Sequence, residues 1–329
     1  MQDWNKEKSG RMRREVVRVK QNKMKNKTIS GNWKTQAGYY LMFIAPVLII
    51  FIFHYLPMAG VYMAFTDYKP AKGIWGSEYV GLKNFIRFFN SKDFVNVLRN
   101  TLLYNIGRII LVNLSCGVVF ALLLYEIKSR VKNKVFQTCM LLPAFLSWTV
   151  ISAALMIILQ PDNGMANGLL ELLGMKSINW YLEKGYWPFI IMFCMIYKDA
   201  GMSSIYFYSA LLSIDTELFD AANLDGAGRL RQIRHISLPA MSSVFCITLI
   251  MQMGSVLSGG ISPFYELTLN NGALYDTTQT IGLYLYNGLD DGRFSLSAAV
   301  GVTRSAVGML MVLAANMVIK KIDSDSAMF

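Results

Sequence analysis

Four charged residues lie within long apolar stretches of the sequence: Arg108, the adjacent Lys198 and Asp199, and Arg304. A charge in hydrocarbon costs several kcal/mol, so each needs a wet cavity, a partner subunit or an opposite charge on another helix. Neighbouring residues of a helix point about 100° apart, and Lys198 and Asp199 therefore cannot simply neutralise each other. Either one of them faces a cavity or a subunit, or they pair with another helix. These scattered charges do not form a proton relay.

A second polar feature, which separates two apolar runs, is the segment FDAANLDGAGRLRQIRHISLP, residues Phe219–Pro239. Asp215 or Thr216 can cap a short helix that continues into it, and Gly226 permits a sharp turn. A second short helix follows, and Pro239 suits the first turn of the next membrane helix. The pattern predicts a helix–turn–helix.

The side chains of this helix–turn–helix are typical of a docking surface for a cytoplasmic partner. Ala221 and Ala222 are small enough to let another backbone come close, and Leu218 extends their apolar face. Leu230 and Ile233 stand three residues apart on the second helix. Acids lie on one side and bases on the other: Glu217, Asp220 and Asp225 against Arg229, Arg231 and Arg234.

Recognised catalytic and ligand-binding motifs are missing from the sequence. It has no GxxxxGK[ST] loop, no HExxH and no GxSxG, and DGAGRLR follows no strand as a dinucleotide site requires. His54, in an apolar run, is expected to be structural, and His235 to be solvated or at an interface. We therefore predict that this chain is not an enzyme and holds no cofactor.

The four cysteines all fall within apolar stretches and show no CxxC spacing. They are predicted to be buried thiols that pack as small hydrophobic groups, without disulfides or a metal site. They are Cys116, Cys139, Cys194 and Cys246.

The composition indicates a membrane protein. The 329 residues are 54% hydrophobic and only 16% charged, whereas a soluble chain is about a quarter charged. A transmembrane helix needs about 20 mostly apolar residues, and six stretches qualify. We therefore predict an all-α integral membrane protein with six transmembrane helices. The stretches begin at Tyr39, Thr101, Val135, Tyr186, Ser242 and Phe294.

Loop charges predict the orientation. With both termini in the cytoplasm, the inner loops carry 20 Lys and Arg and the outer loops nine, as the positive-inside rule requires. The first apolar run is too long for a signal peptide and is expected to remain as an anchor. The predicted organisation is a basic cytoplasmic arm (1–36), a transmembrane domain (37–322) containing the loop 213–239, and a cytoplasmic tail (323–329). The basic arm suits topology and anionic lipid better than nucleic acid.

Two outer connections each have two interpretations. The stretch 83–98 has aromatic residues at helical spacing, so it is either a helix at the membrane interface or a helix packed on an outer protein surface. The loop SPFYELTLNNGALYDTTQTIGLYLYNGLDDGR is either a surface for sugar or a docked protein, or an ordered lid over helix ends. A third outer connection is predicted to hold a short apolar helix.

The segment DAANLDGAGRLRQIRHISLP resembles the coupling motif of binding-protein-dependent ABC importer permeases, which is EAA, then Gly, nine residues and I-x-L-P. Asp220 stands in the place of the glutamate, with Ala221-Ala222 after it, Gly226 as the glycine, and Ile236 and Leu238-Pro239 at the end. Aspartate keeps the carboxylate on a shorter stem, which shifts a charge contact to the partner.

The resemblance extends over nearly the whole chain. The stretches FIAPVLIIFIFHYLPMAGVYMAF, GIWGSEYVGLKNF, VLRNTL and LYNGLDDGRFSLSAAVG look like the sugar permeases that import uronate-containing and other complex oligosaccharides. YKDAGMSSIYFYSALLSI matches the W-K-x-x-G pattern of that branch, with Tyr197 in place of tryptophan.

The resemblance implies a transport complex in a Gram-positive-like plasma membrane. This chain would be one half of a pore, a second homologous permease the other half, and two ATPase subunits would bind ATP and Mg²⁺ below. An extracellular solute-binding lipoprotein would deliver sugar from above. The implied ATPase-coupling residues are Glu217, Asp220, Ala221, Ala222, Asp225, Gly226, Ile236, Leu238 and Pro239.

Polar and aromatic residues within the apolar stretches are candidates for a sugar path. Each is equally a candidate for polar contacts between helices, which such residues often provide in lipid. Lys198 or Arg304 facing the cavity would favour an acidic sugar. The candidates are Asn113, Tyr197, Lys198, Gln252 and Ser255.

Two rival functions remain. An ion-coupled secondary transporter predicts internal repeats with matching broken helices, which the sequence does not show. A membrane enzyme would need catalytic carboxylates or histidines at a membrane face, and these are missing.

Overall fold

A computed structural model describes residues 33–257 and 260–322 of the chain. The predicted tail lies outside these residues, as does the basic arm up to residue 32. Most of the described chain is helical, and its strands form one antiparallel pair in which Thr66 faces Tyr79 and Asp67 faces Glu78.

Four helices are long and apolar enough to cross a membrane, and we name them spans A to D. Two further helix pairs pass the same test but are sharply bent. The first bent pair joins Arg130–Phe145 to Trp148–Leu159 at 91°, and the second joins Arg229–Ala240 to Ser242–Ser255 at 54°. Spans A to D are Gly38–Phe65, Phe94–Glu126, Trp187–Leu212 and Phe294–Lys321.

The all-α membrane fold is confirmed, with four to six membrane crossings among the described residues. The predicted number of six is reached when each bent pair is counted as one membrane span. Pro143 and Pro239 lie close to the two bends, as expected because proline removes a helix hydrogen bond. Pro239 lies in the first turn of the short helix Leu238–Ala240, directly before the apolar helix Ser242–Ser255.

The chain divides into two compact units, one up to Ala59 and one from Gly60 onward. In the first unit, helix Trp33–Ile50 continues as the π-helical stretch Phe51–Tyr55. Its side chains from residue 38 to residue 59 are all exposed. A helix that is apolar on every side belongs in lipid or against another chain.

The second unit has its main core between spans B and C and the outer loop that precedes span D. Tyr104 and Ile191 from the two spans meet Phe264, Leu274 and Leu283 from that loop. The loop is therefore an ordered lid over the helix ends, one of its two predicted interpretations.

The predicted helix of this stretch packs partly against its own chain. It spans Lys83–Phe89, and Phe88 is buried in a cluster with Tyr284, Leu296 and Val300. Ile86 and Phe89 are exposed, so the choice between the membrane interface and a protein surface for that face stays a prediction.

The burial of the thiols also departs from expectation. Cys194 is buried, whereas Cys139 is exposed. An apolar thiol on a lipid-facing helix surface loses nothing by exposure, because hydrocarbon is as apolar as a protein core.

The spans and bent pairs are built from the following helical stretches. Span A ends as the 3₁₀ stretch Leu56–Phe65. Span B contains the π-helical stretch Arg108–Cys116 between Phe94–Gly107 and Gly117–Glu126, and the first bent pair contains Arg130–Leu141 and the 3₁₀ turn Leu142–Phe145. The second bent pair comprises Arg229–Gln232, π-helical Ile233–Ser237, Leu238–Ala240 and Ser242–Ser255. The last helix extends over Phe294–Ile322. Other helical segments are Pro70–Lys72, Gly73–Gly76, Met165–Leu172, Thr216–Leu224, Ser262–Glu266, Gly272–Leu274, Tyr275–Thr278 and Ile281–Asp290.

Span C and the first bent pair approach each other most closely at Gly201. A β-carbon built there would lie 1.9 Å from the carbonyl oxygen of Met140. Only glycine allows this approach, because the clashing atom belongs to backbone that cannot turn aside.

Replacing Gly201 with alanine is therefore expected to destabilise the fold by about 1–3 kcal/mol, as overpacking does. The thermal unfolding temperature of the purified protein in detergent measures this. Gly168, in helix Met165–Leu172, is the matched control because a β-carbon there meets nothing within 4 Å. Gly168→Ala should be neutral or stabilising. Equal unfolding temperatures for the two variants would contradict the close approach.

Candidate functional site

The polar segment, residues 213–239, begins with a capped helix. The Oδ1 atom of Asp215 accepts a hydrogen bond of 3.0 Å from the backbone N–H of Glu217, and helix Thr216–Leu224 follows. Of the two predicted caps, Asp215 is the one that acts.

The turn after this helix is left-handed at Gly226, whose φ is +72°. The N–H of Ala227 donates to the carbonyl of Ala222 at 2.9 Å, and the N–H of Gly226 donates to that of Asn223 at 3.1 Å. This pair of bonds is a Schellman motif. It confirms the predicted turn and reverses the chain after Leu224.

Gln232 joins the two arms of the helix–turn–helix. It is 2% exposed, and its Nε2 atom donates to Asn223 Oδ1 at 2.6 Å and to the carbonyl of Ala227 at 3.0 Å. Sequence analysis missed this residue. The sequence feature that could have identified Gln232 is an uncharged amide among the arginines of the second arm, at a position that faces the first arm.

Two contacts attach the polar segment to the end of span B. Arg229 Nη2 lies 2.9 Å from Glu126 Oε2, and the rings of Tyr125 and Phe219 are tilted by 39° with centroids 5.7 Å apart. The segment, which follows span C in the chain, is therefore also in contact with the end of span B.

The outward surface of the polar segment is apolar as well as charged. Leu224 is 90% exposed and Leu230 is 81% exposed. Beside them a groove of about 420 Å³ is lined by residues of both arms, including Ala222, Arg231 and Ile236. The structure thus brings the predicted coupling residues into one helix–turn–helix. Of these, Glu217, Asp220, Ala221, Asp225, Gly226, Leu238 and Pro239 are exposed, and Ala222 and Ile236 are half-buried.

Within the membrane region, the charged residues of spans B and C find partners. Arg108 Nη2 lies 3.2 Å from Asp199 Oδ2. Lys198 Nζ donates to the carbonyls of Ala144, at 2.9 Å, and Leu146, at the break of the first bent pair. It also lies 5.6 Å from the ring centroid of Trp148. Lys198 and Asp199 therefore both contact other helices, and Asp199 also lines a cavity, so features of both predicted interpretations are present.

A cavity lies beside this ion pair. Its volume is about 210 Å³, and its lining includes Arg108, Asp199, Asn105, Trp148 and Phe264. Charged, amide and aromatic groups thus meet around one partly open cavity.

The five candidate path residues do not form one site. Asn113 is buried and its Oδ1 accepts from Ser203 Oγ at 2.8 Å, a polar contact between spans B and C. Tyr197 is exposed, Gln252 is half-buried, and the exposed Ser255 donates to the carbonyl of Gln252 at 2.9 Å. Only Lys198 adjoins the cavity lining, through Trp148. Sequence analysis singled out Arg108 as a charge but did not place it in the path.

The lid (residues 262–293) is tied to the chain that precedes span C. Lys184 Nζ lies 2.5 Å from Asp276 Oδ2. The hydrogen bond and the charge of Lys184 lower the pKa of Asp276. Tyr104 and Ser152 donate to the lid carbonyls of Thr277 and Glu266 at 2.8 and 2.6 Å. Among the described residues, no group of His, Cys, Asp and Glu could hold a metal ion.

The sequence matches known transport proteins. The family described as binding-protein-dependent transport system inner membrane component matches residues 114–324. The chain is also 38% identical to the polygalacturonan/rhamnogalacturonan transport system permease protein YteP of Bacillus subtilis (strain 168), over 87% of this chain and 88% of that protein.

The structure is similar to solved transporter chains. One comes from a bacterial ABC transporter involved in the import of the acidic polysaccharide alginate, with a TM-score of 0.80, 27% identity, and coverage of 88% of this chain and 97% of that one. Another comes from a bacterial alginate ABC transporter in complex with alginate pentasaccharide-bound periplasmic protein, with a TM-score of 0.79, 28% identity and coverage of 88% and 96%.

The left-handed turn yields a prediction about Gly226. Alanine at a positive φ costs about 1–2 kcal/mol, a factor of about 5–30 in the local folding equilibrium. Gly226→Ala should therefore speed tryptic cleavage at Arg229 and Arg231 in the purified protein. Gly226→Asn is the matched control because asparagine tolerates this conformation better. If both variants are cleaved as slowly as the original chain, the turn does not depend on glycine.

Proposed function

Because this chain belongs to the family of binding-protein-dependent transport system inner membrane components and is the permease subunit of a sugar ABC importer, we propose that it translocates an oligosaccharide or uronate-containing glycan fragment. Transport proceeds by alternating access. The energy comes from partner ATPases, which bind ATP and Mg²⁺. The chain itself is a permease and not an ATPase.

The relatives support the substrate class. The permease from Bacillus subtilis is named for polygalacturonan and rhamnogalacturonan, and the structurally similar transporters carry alginate. These are acidic polymers, and an importer would take up their fragments. An ion-coupled secondary transporter has no support among these matches.

The exposed leucines of the polar segment carry the proposal for ATPase coupling. Leu224 and Leu230 lie on a surface held rigid by the Schellman turn and by Gln232. An exposed apolar patch that is rimmed by charged residues marks an interaction site when its residues are contiguous, and Leu224 and Leu230 lie on the two arms of one helix–turn–helix. The part of the polar segment from Asp220 to Pro239 binds in a cleft of the ATPase. Closure of the ATPase dimer then swings span B through the contacts of Arg229 and Phe219.

The other partners occupy the remaining faces. A second homologous permease completes the pore, and an extracellular solute-binding protein docks on the outer side, as a periplasmic protein does in the alginate complex. The loop charges support a plasma-membrane protein whose two termini and polar segment face the cytoplasm. The arm 1–36, the transmembrane domain 37–322 and the tail 323–329 follow from that orientation.

Leu224→Glu is expected to abolish association with the ATPase while the protein still inserts and folds. A charge placed in a buried contact costs about 2–4 kcal/mol of binding, and Leu224 supports nothing inside its own chain. Co-purification of the ATPase with tagged protein from native membranes measures this. Gly226→Pro combined with Asp220→Arg should have the same effect by deforming the polar segment.

The matched control is Leu172→Glu, because Leu172 is 84% exposed but belongs to the outer helix Met165–Leu172. It should retain the ATPase. If the original chain purifies with no ATPase, or if the Leu224 and Leu172 variants retain it equally, coupling through the polar segment is wrong.

A further inference from the structure

The guanidinium of Arg108 is only partly used by its ion pair. Asp199 contacts the Nη2 atom, whereas Nε is buried and has no hydrogen-bond partner among the described residues. Nε and Nη2 lie on the edge of the guanidinium to which a carboxylate can bind through two oxygens. One donor of that edge therefore lacks a partner, and a ligand carboxylate reaches it only when the guanidinium turns toward the cavity that Arg108 lines.

The charges around this guanidinium do not balance. Arg108 and Lys198 contribute two positive charges and Asp199 one negative charge. Within residues 33–257 and 260–322, neither cation forms an ion pair with a second carboxylate. The carbonyls of Ala144 and Leu146 solvate Lys198 without neutralising it. A net positive charge at membrane depth is costly, and a bound anion would offset that cost.

The cavity beside Arg108 has the lining of a sugar site. The ring of Trp148 offers an apolar face, and Asn105 is buried with its Nδ2 atom bound to the carbonyl of Thr101 at 2.8 Å. The Asn105 Oδ1 atom makes no hydrogen bond to the described chain, so it is free to accept one from a hydroxyl. A volume of about 210 Å³ is below the 300–1,000 Å³ that is usual for larger ligands, and it suits a single sugar unit.

The local backbone supports a binding role. Arg108 begins the π-helical stretch Arg108–Cys116 of span B. Such stretches are rare and frequently lie at functional sites. Trp148 begins the helix that follows the 91° break, where Ser147 caps it by accepting from the N–H of Val150. Both side chains thus project from irregular points of otherwise regular helices.

We propose that the cavity between Arg108, Asn105 and Trp148 is a subsite for one acidic sugar unit, whose carboxylate binds the guanidinium of Arg108 while its ring lies on Trp148. This inference rests on the proposed function and adds the residues that select an acidic sugar over a neutral one. Asp199 holds Arg108 in position, and Lys198 supplies the second positive charge near Trp148. No residue of this subsite except Lys198 belongs to the path predicted from sequence.

The test is binding of D-galacturonate to the purified transport complex, measured by saturation-transfer NMR, with D-galactose as the neutral counterpart. The charge swap Arg108→Asp with Asp199→Arg preserves an ion pair but moves the guanidinium to span C. It should reduce galacturonate affinity at least tenfold and leave the unfolding temperature of the complex unchanged. The double variant Arg108→Gln with Asp199→Asn should lose affinity in the same way.

A matched control is the swap of the ion pair between Lys184 and Asp276, Lys184→Asp with Asp276→Lys, which joins the chain before span C to the lid and should leave galacturonate binding intact. The proposal is overturned if the Arg108 swap binds galacturonate as well as the original complex, if that complex binds galactose equally well, or if it binds no galacturonate. ATP-driven sugar uptake by the same complex in proteoliposomes separates the two failures. If the complex takes up sugar but binds no galacturonate, only the proposed subsite is wrong. If the chain purifies with no ATPase, the proposed function is wrong.

Discussion

Hydrocarbon provides no hydrogen bonds, so every polar group inside a membrane span has to find its partner within the protein. This constraint explains the polar contacts between spans B and C and the first bent pair. The 91° break in that pair frees helix-end carbonyls, and Lys198 donates to two of them, those of Ala144 and Leu146. Lys198, although it lies in an apolar run, thus satisfies carbonyl groups that the break in the helix leaves without partners.

The same constraint acts differently on the two polar regions of the chain. At the ion pair of Arg108 and Asp199, the side chains are half-buried, and the Nε donor of Arg108 has no partner among the described residues. In the polar segment, backbone groups are satisfied by the Schellman turn and by Gln232, whose own Oε1 atom lacks a partner, and the outward surface is apolar at Leu224 and Leu230. The net positive charge beside Arg108 favours the binding of an anionic ligand, whereas the exposed leucines of the polar segment favour the binding of a protein.

Local chemistry was predictable from the sequence, and long-range pairing was not. Local residue types placed the cap at Asp215 or Thr216 and a sharp turn at Gly226, because each depends on residues within a few positions. The ion pair of Arg108 with Asp199 joins residues far apart in the chain, and no periodicity encodes it. The burial of Phe88 against span D is likewise a long-range contact. Helical spacing shows that a face is apolar without showing what covers it.

Span B connects the two regions mechanically. It carries Arg108 near its middle and Glu126 at its end, about 27 Å apart at 1.5 Å per helical residue. Glu126 and Tyr125 contact Arg229 and Phe219 of the polar segment, respectively. The segment also follows directly from span C, which carries Asp199 and ends at Leu212. A partner bound to the segment therefore touches a unit that is joined to both helices of the Arg108–Asp199 ion pair.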